Sequence, residues 1–183
     1  MVRWLLVGAM VCVAGAASAA VTVLGNGIAK ACYDAAKYEM NPSQGVKTCN
    51  TALESEPLSA RDRAATLTNR GILRLRLNDP GHALADFDKS ISVVPDLGQT
   101  YINRSAALVQ LKRHNEAVEA ATKALSLTNE DAHAAYFNRA MAYEKLGNLE
   151  AAYYDLKASL AAKPDFVAAQ NELARYSVQK VSG

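Results

Sequence analysis

The chain has 183 residues, of which 50% are hydrophobic and 21% are charged. This composition excludes an intrinsically disordered chain, and the length is sufficient for one domain with a sizeable core. The formal net charge is only +2, and no basic patch indicates a surface for nucleic acid or anionic lipid.

The N-terminal stretch has the order of a secretory signal. Arg3 is the only charged residue among the first 29, and the apolar run WLLVGAMVCVAG follows it. The Ala-Ser-Ala sequence at 17–19 fits the small-x-small pattern at which such signals are cleaved. We expect residues 1–19 to be a signal peptide, and the mature chain to be soluble and periplasmic or secreted. The alternative is a membrane anchor, because residues 4–24 are long enough to span a bilayer.

Two cysteines, Cys32 and Cys49, follow the expected cleavage point. An even pair in an exported protein is interpreted as a disulfide. We therefore predict a bond between them, and the alternative is a pair of buried free thiols.

A pentapeptide with Asn-Arg near its centre occurs three times in the chain: LTNRG at 67–71, YINRS at 101–105 and YFNRA at 136–140. The asparagines are 34 and then 35 residues apart, a spacing at which one supersecondary unit is repeated. Within each unit, apolar residues recur at helical spacing on both sides of a polar turn. Each unit is therefore predicted to be a helical hairpin.

Small and aromatic residues keep fixed positions within the units. The first unit has Ala83, Phe87, Ser90 and Pro95, and the third has Ala, Leu, Ser and Pro at the matching positions. This spacing resembles the tetratricopeptide repeat. The resemblance implies an all-α solenoid of about four helical hairpins plus a C-terminal capping helix.

The resemblance also divides the chain after the signal peptide into three parts. Residues 20–63 correspond to a degenerate N-terminal hairpin, residues 64–164 to three repeats, and residues 165–183 to a capping helix and tail. Alignment of the degenerate hairpin with the first repeat places Cys32 and Cys49 on its two helices. The predicted disulfide would then join those helices. The C-terminal cap would cover the apolar face that a last repeat otherwise exposes.

The repeated asparagines are the candidate binding residues. In solenoids of this family the first helices line the concave face, so the resemblance implies that Asn69, Asn103 and Asn138 form a ladder there. An Asn side chain offers a donor and an acceptor, so it can pair with the main chain of any peptide. With helices about 10 Å apart, the ladder would span about six residues of extended chain. The flanking positions are Thr68, Ile102, Phe137, Ile72, Ala106 and Met141. The alternative is that the asparagines bond only to neighbouring helices and loops.

Each asparagine is followed by an arginine, at positions 70, 104 and 139. These arginines are expected to turn toward the second helices and form partly buried ion pairs that fix geometry more than they add stability. The expected partners are Asp86, Glu119 and Asp155, respectively.

Two other functions are disfavoured. Family members that hold chaperone C-termini carry a carboxylate clamp, which this chain matches only at Asn103; Thr68, Ile72, Ala134 and Asn138 stand at its other positions. The histidines lack metal-ligand spacing, and no phosphate loop or nucleophile motif indicates an enzyme or a cofactor.

The sequence therefore predicts a non-catalytic binding module in the bacterial periplasm. Its expected partner is a protein or peptide, held as an extended segment or a helix on the concave face. The alternative is a structural subunit of a cell-envelope assembly that uses convex or terminal surfaces.

Overall fold

The computed structural model describes the backbone of residues 2–6, 19–24 and 27–180, and the side chains of residues 19–24 and 27–176. Within these ranges the chain forms nine α-helices and two short strands. They are β1 (Val2–Leu6), α1 (Ile28–Lys37), α2 (Pro42–Ser55), α3 (Ala60–Arg76), α4 (Pro80–Val93), α5 (Gly98–Gln110), α6 (His114–Leu127), α7 (Ala132–Lys145), α8 (Leu149–Ala162), α9 (Val167–Leu173) and β2 (Tyr176–Lys180).

The helices pair as α1/α2, α3/α4, α5/α6 and α7/α8, and each hairpin packs against the next. This arrangement confirms the predicted all-α solenoid of four hairpins. Each hairpin turns through a residue with positive φ: Glu39, Asn78, Lys112 and Gly147. The left-handed conformation just past a helix end lets the backbone satisfy the last carbonyls. Equivalent turn geometry in all four hairpins keeps the first helices on one side of the solenoid.

Close crossing of the two helices depends on small residues. Gly71 on α3 lies against the ring of Phe87 on α4, and a Cβ atom built on Gly71 would lie 2.4 Å from the ring carbon Cε1. Both residues belong to the buried interior of the first full repeat. The aromatic ring thus takes the space that the missing side chain leaves.

The predicted disulfide is present between Cys32 on α1 and Cys49 on α2. Both residues are fully buried and pack in the same apolar cluster as Leu73 and Phe87. The bond therefore joins the degenerate hairpin internally, next to the core that it shares with the first full repeat.

The C-terminal cap consists of a short helix and a strand. Helix α9 has seven residues, and the chain then forms β2, which pairs antiparallel with β1 in the register Leu6 opposite Tyr176. Phe166, Ala169, Leu173 and Tyr176 nevertheless pack on the last repeat. Arg175 binds Glu144 and Glu172 just after the helix, so two buried carboxylates hold the chain where the helix ends.

The expected signal peptide is described only in part. Its residues 2–6 form β1, whereas residues 7–18 lie outside the described residues. No helix in the described part of the chain has both the length and the apolarity of a bilayer span. The last six residues of the alternative anchor, 19–24, lie outside any helix or strand.

Candidate functional site

Residues 19–24 lie as an extended strand-like segment across the first helices of the solenoid. Their burial alternates: Ala19, Val21 and Val23 are buried, whereas Thr22 and Leu24 are exposed. Such a period of two is typical of extended chain with one face on a surface. The concave face of this protein therefore already holds a peptide, which is part of the same chain. We call residues 19–24 the N-terminal segment.

Two asparagines of the ladder bind the main chain of this segment. Asn69 Nδ2 donates to the carbonyl oxygen of Val21 at 2.8 Å, and Asn69 Oδ1 accepts from the Val21 N–H at 2.9 Å. Asn103 makes the same pair of bonds with Ala19, at 2.8 Å to the carbonyl and 3.2 Å from the N–H. Each amide thus satisfies both main-chain groups of one residue, and none of the four bonds involves a side chain of the segment.

The two bound residues are two positions apart, not the three that the sequence estimate implied. In an extended chain only alternate residues turn their N–H and C=O groups toward the same side. An odd spacing would therefore turn the polar edge of one residue away from its asparagine. The periodicity of the peptide, more than the distance between helices, sets the register.

Asn138 has a different role in the described structure. Its Nδ2 atom donates to the Ile102 carbonyl at 3.1 Å and to Ser105 Oγ at 3.0 Å, both on α5. The residue is 2% exposed. These bonds join α7 to α5, so the third asparagine supports the scaffold while the first two hold the N-terminal segment.

The flanking residues that the sequence placed in the groove separate into two groups. Ile102 packs in one cluster with Ala19, and Ile72, although fully buried, lies directly beneath the open part of the groove. Thr68 instead bonds to Ser90 and Thr100 between helices.

The remaining flanking positions belong to the solenoid interior. Phe137 stacks edge-on with Phe166, with ring centroids 5.3 Å apart. Met141 packs on the cluster that contains Phe137, and Ala106 is buried. A first-helix position therefore does not by itself place a side chain on the groove surface.

The open part of the groove has a volume of about 880 Å³. Its charged lining is mixed, with Lys37, Arg76 and Lys163 opposed by Glu39, Glu130 and Asp131. His133 also lines it, and burial lowers the pKa of this imidazole, with a further lowering from Lys163. A surface of mixed sign does not select a strongly charged ligand, so recognition there depends on shape and main-chain hydrogen bonds.

Two acidic residues that the sequence analysis did not assign to the groove hold the end of the N-terminal segment and the start of α1, respectively. Asp62 Oδ1 accepts from the Leu24 N–H at 3.1 Å. Glu56 accepts from the N–H groups of Ile28 and Ala29, at 2.6 and 2.7 Å, and so caps α1. Gly27 permits this contact, because a Cβ atom there would lie 2.1 Å from Glu56 Oε1. The Ser-x-x-Asp pattern at 59–62 was the available signal for Asp62, since it marks a helix start.

Two of the three expected arginine pairs are present. Arg70 binds both carboxylate oxygens of Asp86, at 2.6 and 2.9 Å, and Arg139 binds Asp155 in the same way. The expected pairing of Arg104 with Glu119 is wrong. Arg104 binds Asp88 of the preceding hairpin at 2.7 Å. The reason is positional: the two bidentate partners stand 16 residues after their arginines, and that position after Arg104 is Ala120.

Comparison with known proteins identifies the repeat. Residues 98–131 and 133–166 each match the family model described as "Tetratricopeptide repeat". The chain is 34% identical over 110 residues to the mitochondrial import receptor subunit TOM70 of Rattus norvegicus, a match that covers 57% of this chain and 18% of that protein. The chain spans about a fifth of the length of the TOM70 sequences that it matches.

Solved structures show the same fold. MamA from Desulfovibrio magneticus RS-1 superposes with a TM-score of 0.64 at 18% identity, over 81% of this chain and 82% of that one. The first tetratricopeptide domain of Spaghetti (RPAP3), bound to the HSP90 peptide SRMEEVD, superposes with a TM-score of 0.57 at 27% identity, over 61% of this chain and 88% of that one.

Proposed function

Because this chain is a tetratricopeptide-repeat protein, we propose that it is a non-catalytic interaction module that binds an extended peptide by its main chain. The observation that carries the proposal is the paired bonding of Asn69 to Val21 and of Asn103 to Ala19. A side-chain amide that binds both main-chain groups of a residue accepts any side chain that fits the adjacent surface. The site therefore recognises the extended main chain of a peptide more than the identity of its side chains.

The similarity to the Spaghetti domain supports peptide binding in a general way, since that domain is bound to the peptide SRMEEVD. The acidic character of that peptide does not transfer to this chain. Where a carboxylate clamp would need basic residues, Thr68 is hydrogen-bonded between helices and Ala134 is fully buried. The proposed ligand of this groove is an uncharged extended segment.

The proposed location is the bacterial periplasm, or the exterior, after cleavage between Ala19 and Ala20. The sequence order of residues 1–19 and the bond between Cys32 and Cys49 support this assignment, because disulfides persist in oxidising compartments.

The experiment that tests the function measures how binding depends on single main-chain N–H groups of the peptide. A random peptide library is selected on the immobilised full-length protein, and the strongest binder is then resynthesised with single N-methylated amides. N-methylation removes the donor and keeps the side chain. We expect methylation at alternate positions to abolish binding, and methylation at the intervening positions to be tolerated.

Protein variants complete that experiment. Asn69→Ala/Asn103→Ala should lose the selected peptide, whereas Asn138→Ala should retain it, with circular dichroism showing that all three proteins are folded. Unchanged binding to the double variant would contradict the proposal. It would favour the alternative of a structural subunit that uses its convex or terminal surfaces.

A further inference from the structure

The N-terminal segment makes the contacts of a bound ligand. Its main chain is held by Asn103 at Ala19, by Asn69 at Val21 and by Asp62 at Leu24. Beyond Leu24, only residues 25–27 connect the segment to α1. The groove is therefore occupied by a peptide that is covalently attached to the protein.

The inward side chains of the segment define what the groove accepts. Ala19 packs with Ile102, Ala134 and Ala135, which are small or medium apolar residues in close contact. This surface accepts a small side chain, because the alanines around it are almost completely buried. A larger residue at that position would require the helices to move apart.

The next two inward positions are occupied by Val21 and Val23. They pack in one cluster with Ala64, Ala65 and Leu97. β-Branched residues suit an extended backbone, and a charged side chain there would be buried against apolar groups without a partner. By contrast, Thr22 and Leu24 are exposed, and the Thr22 side chain hydrogen-bonds with Tyr33, so the intervening positions of a ligand admit polar groups.

We infer that the N-terminal segment is an intramolecular competitor for the groove. The ligand with which it competes is an extended peptide of a second protein that has the same pattern of side chains. In that pattern a small residue, then two β-branched or similar apolar residues, occupy alternate positions, and none of the three carries a charge. The inference rests on the proposed function, because it defines the ligand and the control of that same groove.

The attachment makes the competition strong. A tethered ligand experiences an effective concentration on the order of millimolar for a short linker. The apparent affinity of a free peptide equals its intrinsic affinity multiplied by the fraction of protein in which the groove is open. Only peptides that match the pattern closely, or that are abundant, would displace the segment.

The expected cleavage site falls inside the bound segment. Cleavage between Ala19 and Ala20 would separate the residue that Asn103 holds from the residue that Asn69 holds. The uncut chain would block both asparagines. The cut chain would keep Val21 on Asn69 and leave the Asn103 position to the partner.

The test uses a fluorescent peptide with the sequence of residues 19–24, AAVTVL, blocked at both ends, and the full-length protein. Val21→Asp places a charge at an inward position and should expel the attached segment. Thr22→Asp places the same charge at an exposed position and is the matched control. We expect the Val21→Asp protein to bind the peptide at least about tenfold more tightly than wild type, and Thr22→Asp to behave as wild type. The peptide AADTDL, with charges at both inward valine positions, should not bind any of the proteins.

A second variant controls for the possibility that the charge in Val21→Asp disturbs the fold. Val21→Pro removes the N–H that Asn69 accepts without adding a charge, and it should raise the affinity for the peptide in the same direction. Addition of Asn69→Ala to either variant should remove the gain.

The outcomes separate the inference from the proposed function. Equal affinity of wild type, Val21→Asp and Val21→Pro, with binding still lost on Asn69→Ala, would overturn the competitor and leave the peptide-binding function standing. Equal binding of AADTDL and AAVTVL would overturn the pattern. Binding that survives Asn69→Ala/Asn103→Ala would overturn the function itself. A wild-type dimer in analytical ultracentrifugation that Val21→Asp dissociates would show exchange of the segment between copies, and so would overturn competition within one chain.

Discussion

Asn103 holds Ala19 by both ends of its side-chain amide, with Nδ2 2.8 Å from the Ala19 carbonyl oxygen and Oδ1 3.2 Å from the Ala19 nitrogen. The equivalent Asn138 donates instead to Ser105 Oγ on the preceding first helix. The position that corresponds to Ser105 one repeat earlier is Gly71, which has no hydroxyl to offer Asn103. Asn103 Nδ2 instead donates to the Ala19 carbonyl and to the Gln99 carbonyl of its own helix.

The two roles predict opposite effects of the same substitution. Asn69→Ala and Asn103→Ala should increase hydrogen exchange in residues 19–24, because each removes the acceptor of one segment N–H and the donor to its carbonyl. Asn138→Ala should leave that exchange unchanged. It should instead lower the free energy of unfolding by about 1–3 kcal/mol, since it removes two buried hydrogen bonds between α7 and α5. Exchange measured by mass spectrometry and chemical denaturation distinguish the two classes. Faster exchange of the segment in Asn138→Ala would contradict the division.

A pair of glycines tests the helix crossing of the first full repeat. Gly71→Ala places a methyl group against the Phe87 ring, where the ideal Cβ would be 2.4 Å from Cε1. Overpacking of this kind costs about 1–3 kcal/mol. Gly81→Ala is the control, because no atom lies within 4 Å of its Cβ position, and it should stabilise the protein by about 0.4–1 kcal/mol. Equal urea midpoints for the two variants would show that the helices separate freely at Gly71.

The sequence was sufficient to predict the solenoid because its evidence is periodic. Small residues at helix crossings and asparagines 34 and 35 residues apart repeat with the structure, so each unit supports the assignment of the others. The disulfide was predicted from the even pair of cysteines in an exported chain, and the same alignment placed Cys32 and Cys49 on the two helices of one hairpin.

The occupant of the groove could not be predicted in this way. It depends on contacts between residues 48 and 84 positions apart, and no repeat encodes them. Val21 and Val23 follow the expected signal peptide and fall within the alternative anchor, and periodicity does not show whether an apolar stretch lies in a membrane or on a protein surface. The difference between Asn103 and Asn138 was accessible in principle, since it follows from Gly71 and Ser105.

The arginine pairs give a further prediction with an internal control. Asp86 is 1% exposed at its side chain and binds Arg70 and Arg74. Asp86→Ala leaves two guanidinium groups without their buried partner, and it should lower the free energy of unfolding by about 3–5 kcal/mol. Asp88 is 51% exposed in its pair with Arg104, so Asp88→Ala should cost about 1 kcal/mol or less. Similar losses in chemical denaturation would contradict this ranking.

The disulfide should stabilise the fold by restricting the unfolded chain. The bond joins cysteines that are 17 positions apart in the sequence, a loop for which the chain-entropy estimate is about 3 kcal/mol. Cys32→Ala/Cys49→Ala should therefore unfold at lower denaturant than wild type. Wild type under a strong reductant should resemble the double variant, but only after slow reduction, since both sulfurs are buried. Identical unfolding curves for the oxidised wild type and the double variant would contradict the estimate.

His133 should make the folded protein less stable as the pH falls. Burial lowers the pKa of this imidazole below its ordinary value, and Lys163 lowers it further, against smaller opposing effects of Asp131 and Asp165. The unfolded chain therefore binds more protons than the folded chain in the interval between the two pKa values. The contribution of neutral His133 to the free energy of unfolding is fully present above the ordinary pKa of histidine. It is lost as the pH falls through the lower pKa that His133 has in the folded protein.

The variant His133→Phe keeps an aromatic ring against Phe166, whose centroid lies 5.0 Å from the imidazole, and removes the titration. Between about pH 7.5 and about pH 5.5, the range in which histidine ordinarily titrates, the denaturation midpoint of wild type should fall more than that of His133→Phe. Titration of the carboxylates is common to both proteins and cancels in the difference. Parallel midpoint curves for the two proteins would mean that protonation of His133 is not linked to folding, and that its position beside Phe166 and Lys163 carries no energetic cost for the charged ring.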